Sequence, residues 1–276
     1  MREIIFESEN LKVVKVAGTR AGVAFVTFEQ MRPQEHCIPG RDGFGEVFFA
    51  KRGFTAYHFL PAGNDWYHYP ETAQALALVR ADIPPDVRVV NYGASMGGYA
   101  AMRFSEPLSA ETVFALAPQA SVDPAIVPWE KRWGPRGPAL LWDRQAPRRA
   151  ARHFVIYDPL SQDRRHIELL QREVPMTVMF SYFSDHHTTE YVQESGLLQQ
   201  MLLDLAEDRF DPAALQAELW RRRRSTSVYH FVRPRKVRRG LRRLRYYALE
   251  RLLDWRYRPV RRPEDGGGPT SVAPAG

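Results

Sequence analysis

The sequence contains very little cysteine and no long apolar run, and each shortage excludes a class of protein. Cys37 is its one cysteine, so no disulfide framework can form within the chain and no cysteine-based zinc site can be built. No stretch approaches the roughly 20 apolar residues of a membrane span, and the N-terminus lacks an apolar core of signal-peptide length. We therefore expect a soluble, cytoplasmic protein, and no motif calls for a metal or a cofactor.

Excess positive charge is confined to one part of the chain. The 276 residues carry a formal net charge of +7, yet residues 209–262 hold 18 Lys or Arg against 4 Asp or Glu. The remainder is therefore net acidic. This distribution excludes a basic nucleic-acid-binding domain in the first 208 residues.

Apolar strand-like runs alternate with helix-like stretches over the first two thirds of the chain. This alternation predicts an α/β fold with a mostly parallel sheet covered by helices on both faces. The predicted strands are residues 4–6, 11–16, 22–28, 54–60, 87–92, 112–117, 153–157 and 176–180, and the main predicted helices are 71–81, 97–104, 163–173 and 188–205. A segment rich in Pro, Trp and Arg, residues 118–151, interrupts the pattern and is interpreted as an insertion.

The strongest motif is Gly93-Ala94-Ser95-Met96-Gly97, between an apolar strand and a helix. A serine on a tight strand-to-helix turn is exposed at the carboxyl edge of the sheet, and residues two before and two after it have no room for side chains. The helix N-terminus then lies close to negative charge that develops on a bound acyl group. The motif and its context therefore predict a nucleophilic serine.

At these residues the sequence resembles the α/β-hydrolase family of serine hydrolases, over about residues 1–206. The resemblance implies a serine, then an acid, then a histidine in chain order. It implies Ser95 as nucleophile and His186 as base, with His187 as the alternative, because these two histidines follow the last predicted strand. It implies Asp163 as the acid, with Asp158 as the alternative. In the same comparison, residues 118–151 fall where the family carries a lid or cap, and a plain structural excursion is the alternative.

The oxyanion site is the less regular part of the resemblance. One donor is expected to be the backbone N–H of Met96, and the second an N–H near Glu29 or Gln30, after the strand 22–28. The His-Gly pair that the family carries there is absent, and Phe28-Glu29-Gln30 stands instead. This departure supports a rival hypothesis, a catalytically inactive accessory protein that keeps the fold and binds an anionic membrane or a polyanion through its basic C-terminus.

A polar and aromatic loop follows the strand 54–60. It contains Asn64, Asp65, Trp66 and Tyr67, which are candidate substrate-binding residues. Such side chains suit stacking on a sugar or an acyl group, and they equally suit a packed surface loop. We expect an ester or related acyl substrate, with acylated sugars or envelope lipids as one form, and the sequence leaves acyl transfer to an acceptor other than water open.

The last part of the chain has a different character. We predict a hydrolase domain over residues 1–206, a basic helical extension over 207–262 and a disordered tail over 263–276. Arginine interleaves with leucine, tyrosine and tryptophan in residues 221–262, which is typical of a helix that contacts an anionic membrane surface or a polyanion. A solvated helix docked on the hydrolase domain is the alternative, and nucleic acid is the less favoured partner. Membrane contact would make the protein peripheral at the inner face of the membrane.

Overall fold

A single sheet organises the first part of the molecule. The computed structural model describes residues 2–38, 40–133, 140–143, 152–237 and 241–259. Within these ranges the sheet has eight strands in the order β1-β2-β4-β3-β5-β6-β7-β8. The strands are β1 Arg2–Glu7, β2 Leu11–Val16, β3 Arg20–Phe28, β4 Phe54–Pro61, β5 Arg88–Ala94, β6 Thr112–Leu116, β7 Arg152–Tyr157 and β8 Thr177–Phe180.

The strand order places β5 in the middle of a parallel region. β3 to β8 run parallel to one another, while β1 and β2 form an antiparallel edge next to β4. The chain passes from β3 to β4 on one side of β3 and then to β5 on its other side. Ligands of such sheets bind at the carboxyl ends of the strands where the order reverses, and Ser95 directly follows β5 at that edge.

Helices follow most of the parallel strands, as the sequence predicts. Those of the sheet region are α1 Glu46–Lys51, α2 Thr72–Asp82, α3 Met96–Arg103, α4 Asp163–Glu173, α5 Thr188–Glu194 and α6 Leu198–Ala206. α1 is not among the predicted elements. The single helix predicted over residues 188–205 is wrong in one respect, because Gly196 adopts a φ of 72° and separates α5 from α6.

The helices beyond residue 206 belong to two different compact units. α7 Pro212–Arg222 and α8 Ser227–Lys236 belong to the compact unit that contains the sheet. This unit ends at Lys236. The Gln216 side chain accepts from the Phe180 backbone N–H at 2.7 Å and donates to its carbonyl at 3.2 Å, so α7 is fixed to the edge strand β8. Leu219 and Trp220 are buried. The predicted boundary after residue 206 stays a prediction, while these contacts group residues 207–236 with the sheet.

The second unit begins at Val237 and contains α9 Leu241–Arg256. No helix in the described ranges has the length and apolar character needed to cross a bilayer. The tail predicted to be disordered, residues 263–276, lies outside the described residues.

Candidate active site

Ser95 occupies a strained turn between β5 and α3. Its φ of 52° and ψ of −117° are unusual for a residue with a side chain, and its N–H donates to the Leu116 carbonyl at 2.8 Å. A Cβ at Gly93 would come within 2.2 Å of the Gly97 carbonyl oxygen, and one at Gly97 within 2.1 Å of the Phe28 oxygen. Both glycines are therefore required by close backbone approach, as the motif predicts.

His186 reaches Ser95 from the loop between β8 and α5. The Ser95 hydroxyl lies 2.9 Å from His186 Nε2. Two neighbours of His186 in this loop, Phe183 and Asp185, have positive φ values of 65° and 52°. The loop is thus held in an uncommon conformation that aims the imidazole back across the edge of the sheet.

Asp163, the first residue of α4, lies behind His186. Its Oδ2 is 2.9 Å from His186 Nδ1, and its side chain is fully buried. Since an ionised carboxylate only accepts hydrogen bonds, Nδ1 carries the proton and Nε2 is free to accept from the Ser95 hydroxyl. The structure therefore brings together Ser95, His186 and Asp163, the three residues favoured from the sequence, in one continuous chain of contacts.

An arginine binds the other oxygen of the same carboxylate. Arg132 lies 2.8 Å from Asp163 Oδ1. Burial raises the pKa of Asp163, but the hydrogen bond and charge of His186 and the cation of Arg132 outweigh it and hold the pKa below its ordinary value. Asp163 is therefore ionised at neutral pH.

Glu130 and His166 support the arginine. Arg132 also pairs with Glu130 at 2.6 Å, and Glu130 Oε2 lies 3.0 Å from His166 Nε2. The Ala120 N–H donates to His166 Nδ1 at 3.2 Å, so the proton of a neutral His166 sits on Nε2 and is donated to Glu130. Burial lowers the pKa of His166, against the opposing effect of Glu130. His166 thus anchors Glu130, and both of its ring nitrogens have partners, Glu130 and the Ala120 N–H.

Three further side chains border the triad. The Trp133 ring centre lies 5.0 Å from that of His186, and Trp66 packs against Trp133 at 6.2 Å. Gln119 Oε1 lies 3.5 Å from the Ser95 hydroxyl and accepts from the Trp66 indole N–H at 3.4 Å. Gln119 and Trp133 both belong to the predicted insertion.

The insertion therefore contributes more side chains to the candidate site than the sequence indicated. Gln119, Glu130, Arg132 and Trp133 were not predicted as site residues, and the one signal that pointed to them was the Trp- and Arg-rich composition of residues 118–151. Residues 134–139 and 144–151 of this segment lie outside the described residues, so its role as a lid stays a prediction.

The two alternative residues lie elsewhere. Asp158 Oδ2 accepts from the Asp185 N–H at 2.8 Å, and Oδ1 accepts from the Leu160 N–H at 2.9 Å. The His187 side chain is exposed and its ring packs against Phe231, with 6.2 Å between ring centres. Neither replaces the residue favoured in its place, since both have other partners.

The predicted oxyanion donors lie at the correct edge of the sheet. Met96 is the first residue of α3, where helical N–H groups lack an acceptor inside the helix. The 2.1 Å that would separate a Gly97 Cβ from the Phe28 oxygen shows how closely the start of α3 approaches the end of β3, just before Gln30. The use of Met96 and Gln30 as donors stays a prediction.

Buried Glu29 occupies the place of the missing His-Gly pair. It pairs with Arg41 at 2.9 Å and with Arg32 at 3.2 Å, and its carbonyl accepts from the Tyr67 hydroxyl at 3.1 Å. Burial raises the pKa of Glu29, in opposition to the two arginines. This network fixes the backbone of the loop beside Ser95 by side-chain contacts rather than by glycine.

The four candidate substrate-binding residues have structural partners. Asn64 accepts from the Arg32 N–H at 3.0 Å and donates to its carbonyl at 2.6 Å, and Asp65 accepts from the Tyr69 hydroxyl at 3.2 Å. Trp66 and Tyr67 are fully buried and have positive φ values of 50° and 61°. These contacts tie the loop after β4 to the loop after β3, and a direct role in substrate binding stays a prediction.

Comparison with known proteins supports the architecture. No protein-family model and no curated protein matches the sequence. Among solved structures, Est1E from Butyrivibrio proteoclasticus superposes with a TM-score of 0.50 at 9% identity, over 75% of this chain and 98% of that one. The chain has the α/β-hydrolase fold.

Two other solved structures superpose with slightly lower TM-scores. The capsule O-acetyltransferase of Neisseria meningitidis serogroup A has a TM-score of 0.49 at 15% identity, over 71% of this chain and 93% of that one. Alpha/beta hydrolase domain-containing protein 10 from mouse has a TM-score of 0.49 at 10% identity, over 75% and 99% of the two chains.

Proposed function

We propose that the protein is a serine acyl hydrolase that acts through Ser95, His186 and Asp163. The observation that carries this proposal is the continuous path of two 2.9 Å contacts from the Ser95 hydroxyl through His186 to Asp163. The strained turn at Ser95 and the ionised carboxylate of Asp163 support it, because strain and paired charges are features of reactive sites.

The reaction follows from the geometry of these three groups. His186 Nε2 removes the hydroxyl proton as Ser95 Oγ forms a bond to the acyl carbon, and the carbonyl oxygen becomes negatively charged. The backbone N–H groups of Met96 and Gln30 donate hydrogen bonds to this oxygen and stabilise its charge. Asp163 holds the imidazole in position and stabilises its protonated form.

The intermediate then collapses and is hydrolysed. The bond from the acyl carbon to the leaving oxygen breaks, and His186 returns its proton to that oxygen, which releases an alcohol and leaves the acyl group on Ser95. Water, deprotonated by His186, then attacks the acyl carbon. The bond from this carbon to Ser95 Oγ breaks, His186 returns the proton to Ser95 Oγ, and the carboxylic acid is released. An ester, on an acylated sugar or an envelope lipid, is the substrate class that we propose.

Turnover of a short p-nitrophenyl ester tests the assignment with a matched pair of histidines. His186→Ala should abolish turnover, whereas His187→Ala should leave it close to wild type, because His187 is exposed and contacts Phe231. Both variants replace a histidine by alanine at adjacent positions. A general effect on folding would therefore lower the activity of both, whereas loss of the base lowers only that of His186→Ala. Retained activity in His186→Ala with loss in His187→Ala would contradict the proposal.

A further inference from the structure

The exposed side of α9 carries large apolar side chains. Leu244, Leu252 and Trp255 are 65%, 56% and 65% exposed, and Tyr247 is 38% exposed. At about 100° per residue, these four positions fall within an arc of about 140° on one face of the helix. Single exposed leucines are ordinary, but several on one helix face mark a surface that binds something apolar.

Arginines surround this apolar face. Arg245 and Arg256 border it on one side and Arg243 on the other, while Arg251 lies within it, and all four are exposed. α9 as a whole contains five arginines against Glu250 and Asp254. A long arginine side chain can keep its guanidinium in a polar layer while its carbon chain lies against apolar groups.

We infer that α9 is an interfacial helix that binds the surface of an anionic lipid membrane through Leu244, Tyr247, Leu252 and Trp255, with its arginines on the lipid headgroups. Leucine and tryptophan on one face with arginine beside them is the pattern of helices that lie in the plane of a bilayer surface. The positive charge complements anionic headgroups and opposes the pairing of this face with a second copy of itself. A soluble polyanion would satisfy the arginines and leave the leucines and Trp255 in water.

Flotation of the full chain with vesicles tests the inference. We expect binding to vesicles of phosphatidylcholine mixed with phosphatidylglycerol, at least about tenfold weaker binding to phosphatidylcholine alone, and weakening by salt. The double variant Leu244→Ser with Leu252→Ser should lose about tenfold or more in affinity for the mixed vesicles. Arg245→Gln with Arg251→Gln should lose about tenfold.

A matched control distinguishes binding of the α9 side chains to the membrane from a general change in surface polarity. Val47 on α1 and Leu78 on α2 are also exposed apolar residues, at 50% and 41%. Val47→Ser with Leu78→Ser should bind mixed vesicles as the wild type does, and circular dichroism should show the same helix content in both double variants.

Three results would overturn the inference. One is the absence of wild-type binding to mixed vesicles. Another is full vesicle binding by the Leu244→Ser, Leu252→Ser variant together with displacement by heparin, which would assign the arginines to a soluble polyanion. The third is a dimer, detected by sedimentation, that dissociates in that variant while vesicles bind neither protein, which would assign the face to a second copy of the chain.

Discussion

Asp158 and Asp163 follow the same strand, β7, and both side chains are fully buried, yet their surroundings differ. Asp163 accepts from His186 and pairs with Arg132, and its pKa lies below the ordinary value. Asp158 accepts from two backbone N–H groups and has Lys236 at 3.6 Å. Burial raises the pKa of Asp158 to about 6, because the more distant lysine and the backbone donors only partly offset desolvation.

The difference shows how charged partners separate two buried carboxylates. Asp163 touches two cationic or protonatable side chains and is suited to stabilise a positive charge on His186. Asp158 holds the backbone of Asp185, the residue before His186, and so positions the loop that carries the base. One carboxylate therefore binds the imidazole itself, and the other binds the backbone of the residue before it.

Asp163→Asn against Asp158→Asn is the sharpest test of this division. Asp163→Asn should lower kcat for a p-nitrophenyl ester by about three to four orders of magnitude, because the amide favours the wrong tautomer of His186. Asp158→Asn should stay within about tenfold of wild type, since it affects only loop position. Equal losses would show that the two carboxylates have no separate roles.

Arg132→Gln should have the next largest effect. Removing the cation leaves the imidazole of His186 as the remaining partner of Asp163. The Asp163–His186 pair then takes up a proton at higher pH, so the acid limb of kcat/KM should move upward by about one pH unit. Arg132→Lys keeps the charge and should restore most of the wild-type pH profile. A purely structural role would instead lower activity equally at every pH, with no shift of the limb.

Asp158 should make a contribution to stability that falls as the pH rises. Its pKa is 3.8 when unperturbed and about 6 in the fold, so its contribution to stability is fully present below the lower value and is lost as pH rises through the higher one. The free energy of unfolding of wild type relative to Asp158→Asn should therefore fall by about 2 to 3 kcal/mol between about pH 4 and pH 7. Urea unfolding of both proteins across this range measures it, and a difference that grows with pH would contradict the raised pKa.

Much of the fold could be predicted because apolar runs determine which segments become buried strands. The run 22–28 corresponds to β3, whose last six residues are buried, as are the last six residues of β5 and all five of β6. The division of α5 from α6 could not be read from periodicity, because the apolar spacing continues across Gly196 and only the backbone conformation shows the break.

The three residues that meet at the candidate site could be predicted from the sequence, and their surroundings could not. Ser95, His186 and Asp163 follow strands in a fixed chain order, so the topology alone brings them to one edge of the sheet. The insertion lacks periodicity, and the contacts of Arg132 and Gln119 within the site join residues far apart in sequence. The Arg132–Asp163 pair is separated by 31 residues, Trp66–Gln119 by 53 and Ser95–Gln119 by 24.

Labelling with a fluorophosphonate tests the central claim, an activated Ser95, most directly. Wild type should be labelled on the peptide that contains Ser95, Ser95→Ala should not be labelled, and Ser225→Ala, which changes an exposed serine bonded to the Arg222 carbonyl, should be labelled as wild type is. Mass spectrometry of the digested proteins locates the adduct. A folded wild type that takes up no label would contradict the account and support an inactive accessory protein with the same fold.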